Sequence, residues 1–145
     1  MKNFLLPIHL IFVGLWLGCV LTEALFERAL LGQGRTQEKI LVRLHQRVDV
    51  WIEIPAFCIV LVTGALLLAT APASALLHAK IGFALLAIIA NVYCVWLVFR
   101  RAKAAETEQW QEFAALDHLQ HKIGAIVLLG ILAAMGIGIY LYSHG

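Results

Sequence analysis

His45, Asp49 and Glu53 follow one another at i, i+4 and i+8, a spacing that lays an imidazole and two carboxylates along one face of a helix. His9, Trp16 and Glu23 are spaced by sevens, which keeps them on one stripe despite a drift of about 20° per heptad. Asp117, His118 and His121 form a third group, and His78 with Lys80 a fourth. Neutral imidazole is the commonest protein ligand of transition metals and also an axial ligand of haem iron. Carboxylates beside it can complete a non-haem centre or relay protons. These side chains are costly to hide from water, so the elements that hide them decide what they can do.

Those elements are membrane helices. The chain has 145 residues, 62% of them hydrophobic and 14% charged, with a mean hydropathy of +0.88, well outside the make-up of a soluble domain. Four windows, 5–26, 48–70, 76–99 and 123–142, each hold about 20 mostly apolar residues, enough for a helix to cross a ~30 Å hydrocarbon core. Four spans leave room for one domain only, residues 1–145. The first window is too long for a secretory signal, and Glu23, Glu27 and Arg28 follow where a cleavage site would need small residues, so it is expected to be retained.

Charge placement orients the spans. Arg28, Arg35, Lys39, Arg43 and Arg47 lie between the first two windows, and Arg100, Arg101, Lys103 and Lys122 between the last two. The connection "ATAPASA" has no charge. The positive-inside bias then puts the two long connections in the cytoplasm and both termini outside, in an all-α, antiparallel four-helix transmembrane bundle. This bias accounts for the basic residues without any nucleic-acid partner.

"TQEKILVRLHQRVD" and "KAAETEQWQEFAALDH" have helix-forming composition and should extend the second and fourth helices as amphipathic stems, with Pro55 bending the second helix. Gly14 and Gly18 on the first helix, and Gly130, Ala134 and Gly138 on the fourth, have the spacing of close helix packing. Cys19, Cys58 and Cys94 all fall inside helices and are odd in number, which suggests small apolar fillers and no disulfide framework.

Depth counting sorts the polar groups into two levels. Glu53 should sit ~8 Å below the entry of its helix at Val48, level with Glu23, Glu27, His45, Asp117, His118 and His121 on the cytoplasmic side. His9, ~6 Å inside the outer boundary, should be level with His78. A haem could bridge His9 and His78 on the first and third helices, and a second could bridge His45 and His118 or His121 on the other diagonal. The third helix carries a conflict, however. Its small and polar stripe runs Lys80, Ala84, Ala87, Asn91, Cys94, and His78 is about 200° around from Lys80, so only one of the two can face the interior.

"PIHLIFVGLWLG", "IPAFCIVLVTGALLL" and "LLHAKIGFALLAIIANVYC" resemble the four-helix membrane protoporphyrinogen IX oxidase and the related copper-resistance protein D group, over the first three helices. That resemblance implies a bacterial inner membrane, and haem binding and activity associated with a histidine on the first helix and a lysine on the third, here His9 and Lys80, with Lys80 turned inward. "DHLQHKIGA" and the His45, Asp49, Glu53 stripe are not part of the resemblance, so the substrate does not carry over. Met1 and Met135 are the only methionines, which argues against a Cu(I) thioether site.

The first expectation is therefore a haem b protein of electron transfer, with one or two haems and quinone or a porphyrin as partner. His9 with His78 or Lys80 would hold the outer haem and His45 with His118 or His121 the second, while Lys80 and Glu53 act in catalysis and Asp49 and Glu23 assist proton transfer. The second is a non-haem iron, manganese or copper centre of Glu23, Glu27, His45, Asp49, Glu53 and His121, although the Glu-x-x-His spacing common in such bundles is absent. The third is an accessory subunit, packed through its glycine stripes in a homo-oligomer or a larger complex.

Overall fold

The computed structural model describes residues 2–144. All its regular structure is helical, and four helices are long and apolar enough to cross a membrane. The first is α1, Lys2–Leu30. The second is built from α2, Arg35–Val48, a π-helical turn Asp49–Glu53, and α3, Ile54–Leu68. The third is α4, Ala75–Glu106, and the fourth α5, Trp110–His144.

Local chemistry sets the boundaries. Past the end of α1, Gly32 and Gly34 adopt φ of 74° and 123°, values that cost a side-chain-bearing residue strain, and the chain reverses into α2. The Ser74 side chain accepts the Leu77 amide at 3.1 Å and caps α4, two residues after Pro72. Pro55 has no amide hydrogen to donate, and the helix answers with the wider turn just before it, in which the Ile54 amide bonds the Asp49 carbonyl. One expectation is corrected here. The last connection is shared between α4, which runs on to Glu106, and α5, with a short turn through Glu108 at φ 59°. The third helix contributes as much stem as the fourth.

Packing is uneven. α4 and α5 lie against each other along their length, α1 pairs with α3, and the stem α2 packs on α4. At mid-height Trp16, Phe57, Val60, Ala87, Val127 and Ile131 form a common core. At the stem end Val42, Leu97, Ala105, Phe113 and Leu116 form another. Large apolar side chains such as Ile11, Val62, Ile89 and Leu129 point outward, a surface suited to lipid tails and not to water.

The small residues divide in their use. A Cβ on Gly130 would stand 2.9 Å from Ala87 Cβ and 3.1 Å from the Phe83 carbonyl, so the α4–α5 seam depends on its absence. Gly14 and Gly18 have nothing within 4 Å of such a Cβ. On the first helix the glycine spacing therefore packs against no other part of this chain.

Candidate functional site

Polar side chains collect at two levels, one at the stem end and one near the chain termini. At the stem end the i, i+4, i+8 face of the second helix turns fully inward, with His45, Asp49 and Glu53 all at most 3% exposed. The π turn begins at Asp49 and ends at Glu53, one turn past His45, and both it and α2 pack against α1. His45 sits between two carboxylates of α1, its Nε2 3.3 Å from Glu23 and its Nδ1 3.1 Å from Glu27.

Glu27 also meets Arg101 of α4, which has no exposed surface. The guanidinium donates to Glu27 at 2.8 Å and to Gln120 at 2.8 Å, approaches Asp117 at 3.0 Å and lies 4.9 Å over the Phe113 ring. A buried ion pair is best tolerated when its remaining groups are also satisfied, and here α1 and α5 supply partners for both terminal nitrogens of Arg101, while its Nε and Asp117 Oδ1 make no hydrogen bond.

Beside this network, carboxylate oxygens of Glu23, Asp49 and Glu53 lie within 4.8 Å of one another. Glu53 accepts from the Asn91 amide at 3.0 Å, and the Asn91 carbonyl accepts from the Trp16 indole at 3.0 Å. Glu23 Oε1 and Asp49 Oδ2 are buried and have no hydrogen-bond partner. Three carboxylates this close repel one another unless a proton or a cation lies among them. A second group of possible ligands, Glu27, Asp117 and His121, lies nearer the surface.

The terminal end is sparser. His9 Nδ1 is 2.8 Å from the Thr63 hydroxyl, whose own hydrogen goes to the Ile59 carbonyl at 2.6 Å. The hydroxyl oxygen is thus the acceptor, Nδ1 carries the proton, and Nε2 keeps its lone pair. The ring packs over Gly64, where a Cβ would meet it at 3.3 Å. Lys80 of α4 is half-buried against Gly138 of α5, its Nζ 3.3 Å from where a Cβ would stand.

His78 is exposed and its ring turns back to the Ser74 carbonyl at 2.7 Å. The facing conflict on the third helix is resolved with Lys80 inward and His78 outward, so the pairing of His9 with His78 is not formed. The other diagonal is not formed either. Both ring nitrogens of His45 face carboxylates, His118 is exposed, and the half-exposed His121 bonds back to the Asp117 carbonyl at 2.9 Å. The metal-ligand candidates fall into two groups, Glu23, Asp49 and Glu53 on one side and His121 with Glu27 and Asp117 on the other, with His45 between them.

Arg101, Thr63 and Gln120 were not singled out by residue spacing. Arg101 was legible as the continuation of the α4 stripe through Asn91, Cys94 and Val98, all on the inner face, but its charge groups it with the basic connection. Thr63 carries no signal beyond its place two turns past Pro55. No family model, no curated protein and no solved structure matches the chain.

Proposed function

We propose that this is a multi-pass protein of a bacterial inner membrane that binds haem b and serves electron transfer, with a lipid-soluble quinone or a porphyrin as partner. In this reading the bundle is antiparallel, with both termini and the short Pro72 connection outside and the basic stems in the cytoplasm. The observation that carries it is the His9–Thr63 contact. A ligating imidazole nearly always donates its other nitrogen to a second group, which fixes its tautomer and orientation, and Thr63 leaves His9 Nε2 free in that way.

The residues around His9 fit such a group. Gly64 lets the His9 ring pack closely on α3, Gly138 seats the Lys80 side chain on α5, and Lys80 offers a cation for an acidic substituent. Haem, when bound, supplies a one-electron carrier. Glu53, Asp49 and Glu23 hold protons below it, and the Trp16–Asn91–Glu53 hydrogen bonds join them to the core at mid-height.

The visible spectrum of detergent-purified, haem-supplemented protein tests this reading. A Soret band is expected that His9→Ala abolishes and His78→Ala leaves in place. Wild-type protein that stays colourless under these conditions overturns it.

A second reading is favoured by the convergence of Glu23, Asp49 and Glu53 with two unpartnered buried oxygens. Those oxygens, with His45 adjacent, suit a non-haem iron or manganese ion, whose carboxylate-rich coordination is common in helix bundles. Elemental analysis of colourless protein would then find stoichiometric metal, lost in Glu53→Gln. Metal-free protein with an unchanged Glu53→Gln variant rules it out.

A further inference from the structure

Between α1 and α5, which touch only sparingly, a groove of about 420 Å³ runs inward from the apolar exterior. Val20, Leu21, Ala24, Ala125 and Leu128 line its walls, and Gly124 leaves it open, since a Cβ there would meet nothing within 4 Å. Its inner end reaches Glu23 and His45, side chains that are 13% and 4% exposed. Glu23 Oε1 there is buried without a hydrogen-bond partner.

A volume in the range of small-molecule sites, apolar walls and a few convergent polar atoms together describe a ligand site. The walls demand a lipophilic body that enters sideways from the bilayer. The unpartnered carboxylate oxygen demands a hydrogen-bond donor, which a neutral hydroxyl supplies; Glu23 and Glu27 share the lining with Arg28, His45 and His121, so the groove's charges are mixed and do not call for a charged headgroup. We infer that the α1–α5 groove binds a quinol, ring inward, with one hydroxyl donating to Glu23 and His45 beside it. The preference for a quinol over other lipophilic hydroxyl compounds rests on the redox reading above, whereas the site itself rests on the groove.

Binding of decylubiquinol and decylubiquinone to the full-length protein in quinone-free nanodiscs tests this. Saturable binding of one decylubiquinol per chain is expected, tighter than decylubiquinone, and weakened about tenfold or more by Gly124→Leu or Ala125→Phe, which fill the groove. Decanol in equal concentration should compete poorly. His9→Ala should bind as well as wild type, so that loss of haem and loss of quinol binding are separable results. An azidoquinone should label segments 20–31 and 120–128, a readout that needs no variant. Uptake no greater than that of empty nanodiscs, equal competition by decanol, tighter binding of the oxidised form, or labelling elsewhere each overturns the proposal. So does a chain dimer that Gly124→Leu dissociates without any quinol uptake, because the groove would then be a seat for a second copy.

Discussion

The two ends of the bundle treat buried polarity in opposite ways. At the stem end eight ionisable or amide side chains from all four long helices are drawn together, and each is held by at least one other. At the terminal end one histidine rests on one threonine, and one lysine on a glycine. The first is a network in which removal of any member leaves others uncompensated. The second is a single oriented ligand with a free nitrogen. A dense network favours structure and proton storage, and an isolated oriented imidazole favours binding something from outside the chain.

The largest effect should come from Arg101→Leu. It removes the only cation that meets both Glu27 and Asp117, and breaking a buried pair by deleting one partner costs about 3–5 kcal/mol. Denaturation in detergent should show that loss, and a change below 1 kcal/mol would mean that the stem-end network is only a solvated surface.

Gly130→Leu is next, because it drives a side chain into Ala87 and the Phe83 carbonyl in a seam shared by both ends. Over-packing of this kind costs roughly 1–3 kcal/mol, and haem retention should fall together with stability. Separate responses would show that the two ends fold independently.

Thr63→Val sharpens the contrast from the other side. It keeps the shape but removes the acceptor that orients His9, and loss of such a partner lowers metal affinity about 10–100-fold. Haem titration should show weaker binding with the melting temperature nearly unchanged. An equal haem affinity in the variant would take Thr63 out of the site.

Gly14→Leu should do least. Nothing in this chain stands near it, so stability should stay within about 0.5 kcal/mol of wild type. A larger loss, or a change in oligomeric mass, would show a second chain packed on the first helix.

Which of these features were legible beforehand follows from how side chains signal their depth. The four spans and the inward face of His45, Asp49 and Glu53 were readable because hydropathy and the 3.6-residue period report them directly. The stripe along α4 showed that only one of His78 and Lys80 could face inward, and the resemblance, not the spacing, favoured Lys80. Arg101 was obscured because a basic residue past a span normally stays in water, and only the approach of α1 and α5 gives it partners. The diagonal pairings of histidines failed for a related reason. Depth counting puts two residues at one height but says nothing of the carboxylates already occupying His45 or the carbonyl that holds His78.

The π turn at Asp49–Glu53 has a consequence for how this chain can tolerate insertions and deletions. Such a turn holds more residues than the α-helix around it, so loss of one residue there could be absorbed without breaking the helix. Each residue of an α-helix, however, accounts for about 100° of rotation. Deletion of one residue inside the turn lets it close to an α-turn with the stem still in phase, so His45 keeps Glu23 and Glu27, whereas deletion of one residue between His45 and Asp49 would swing His45 off the interior. The turn therefore acts as one residue of slack between the membrane half and the stem half of the second helix. Length changes should be far better accepted in the 31–34 and 69–74 connections, or by one residue inside the turn, than in the α-helical segments that flank it.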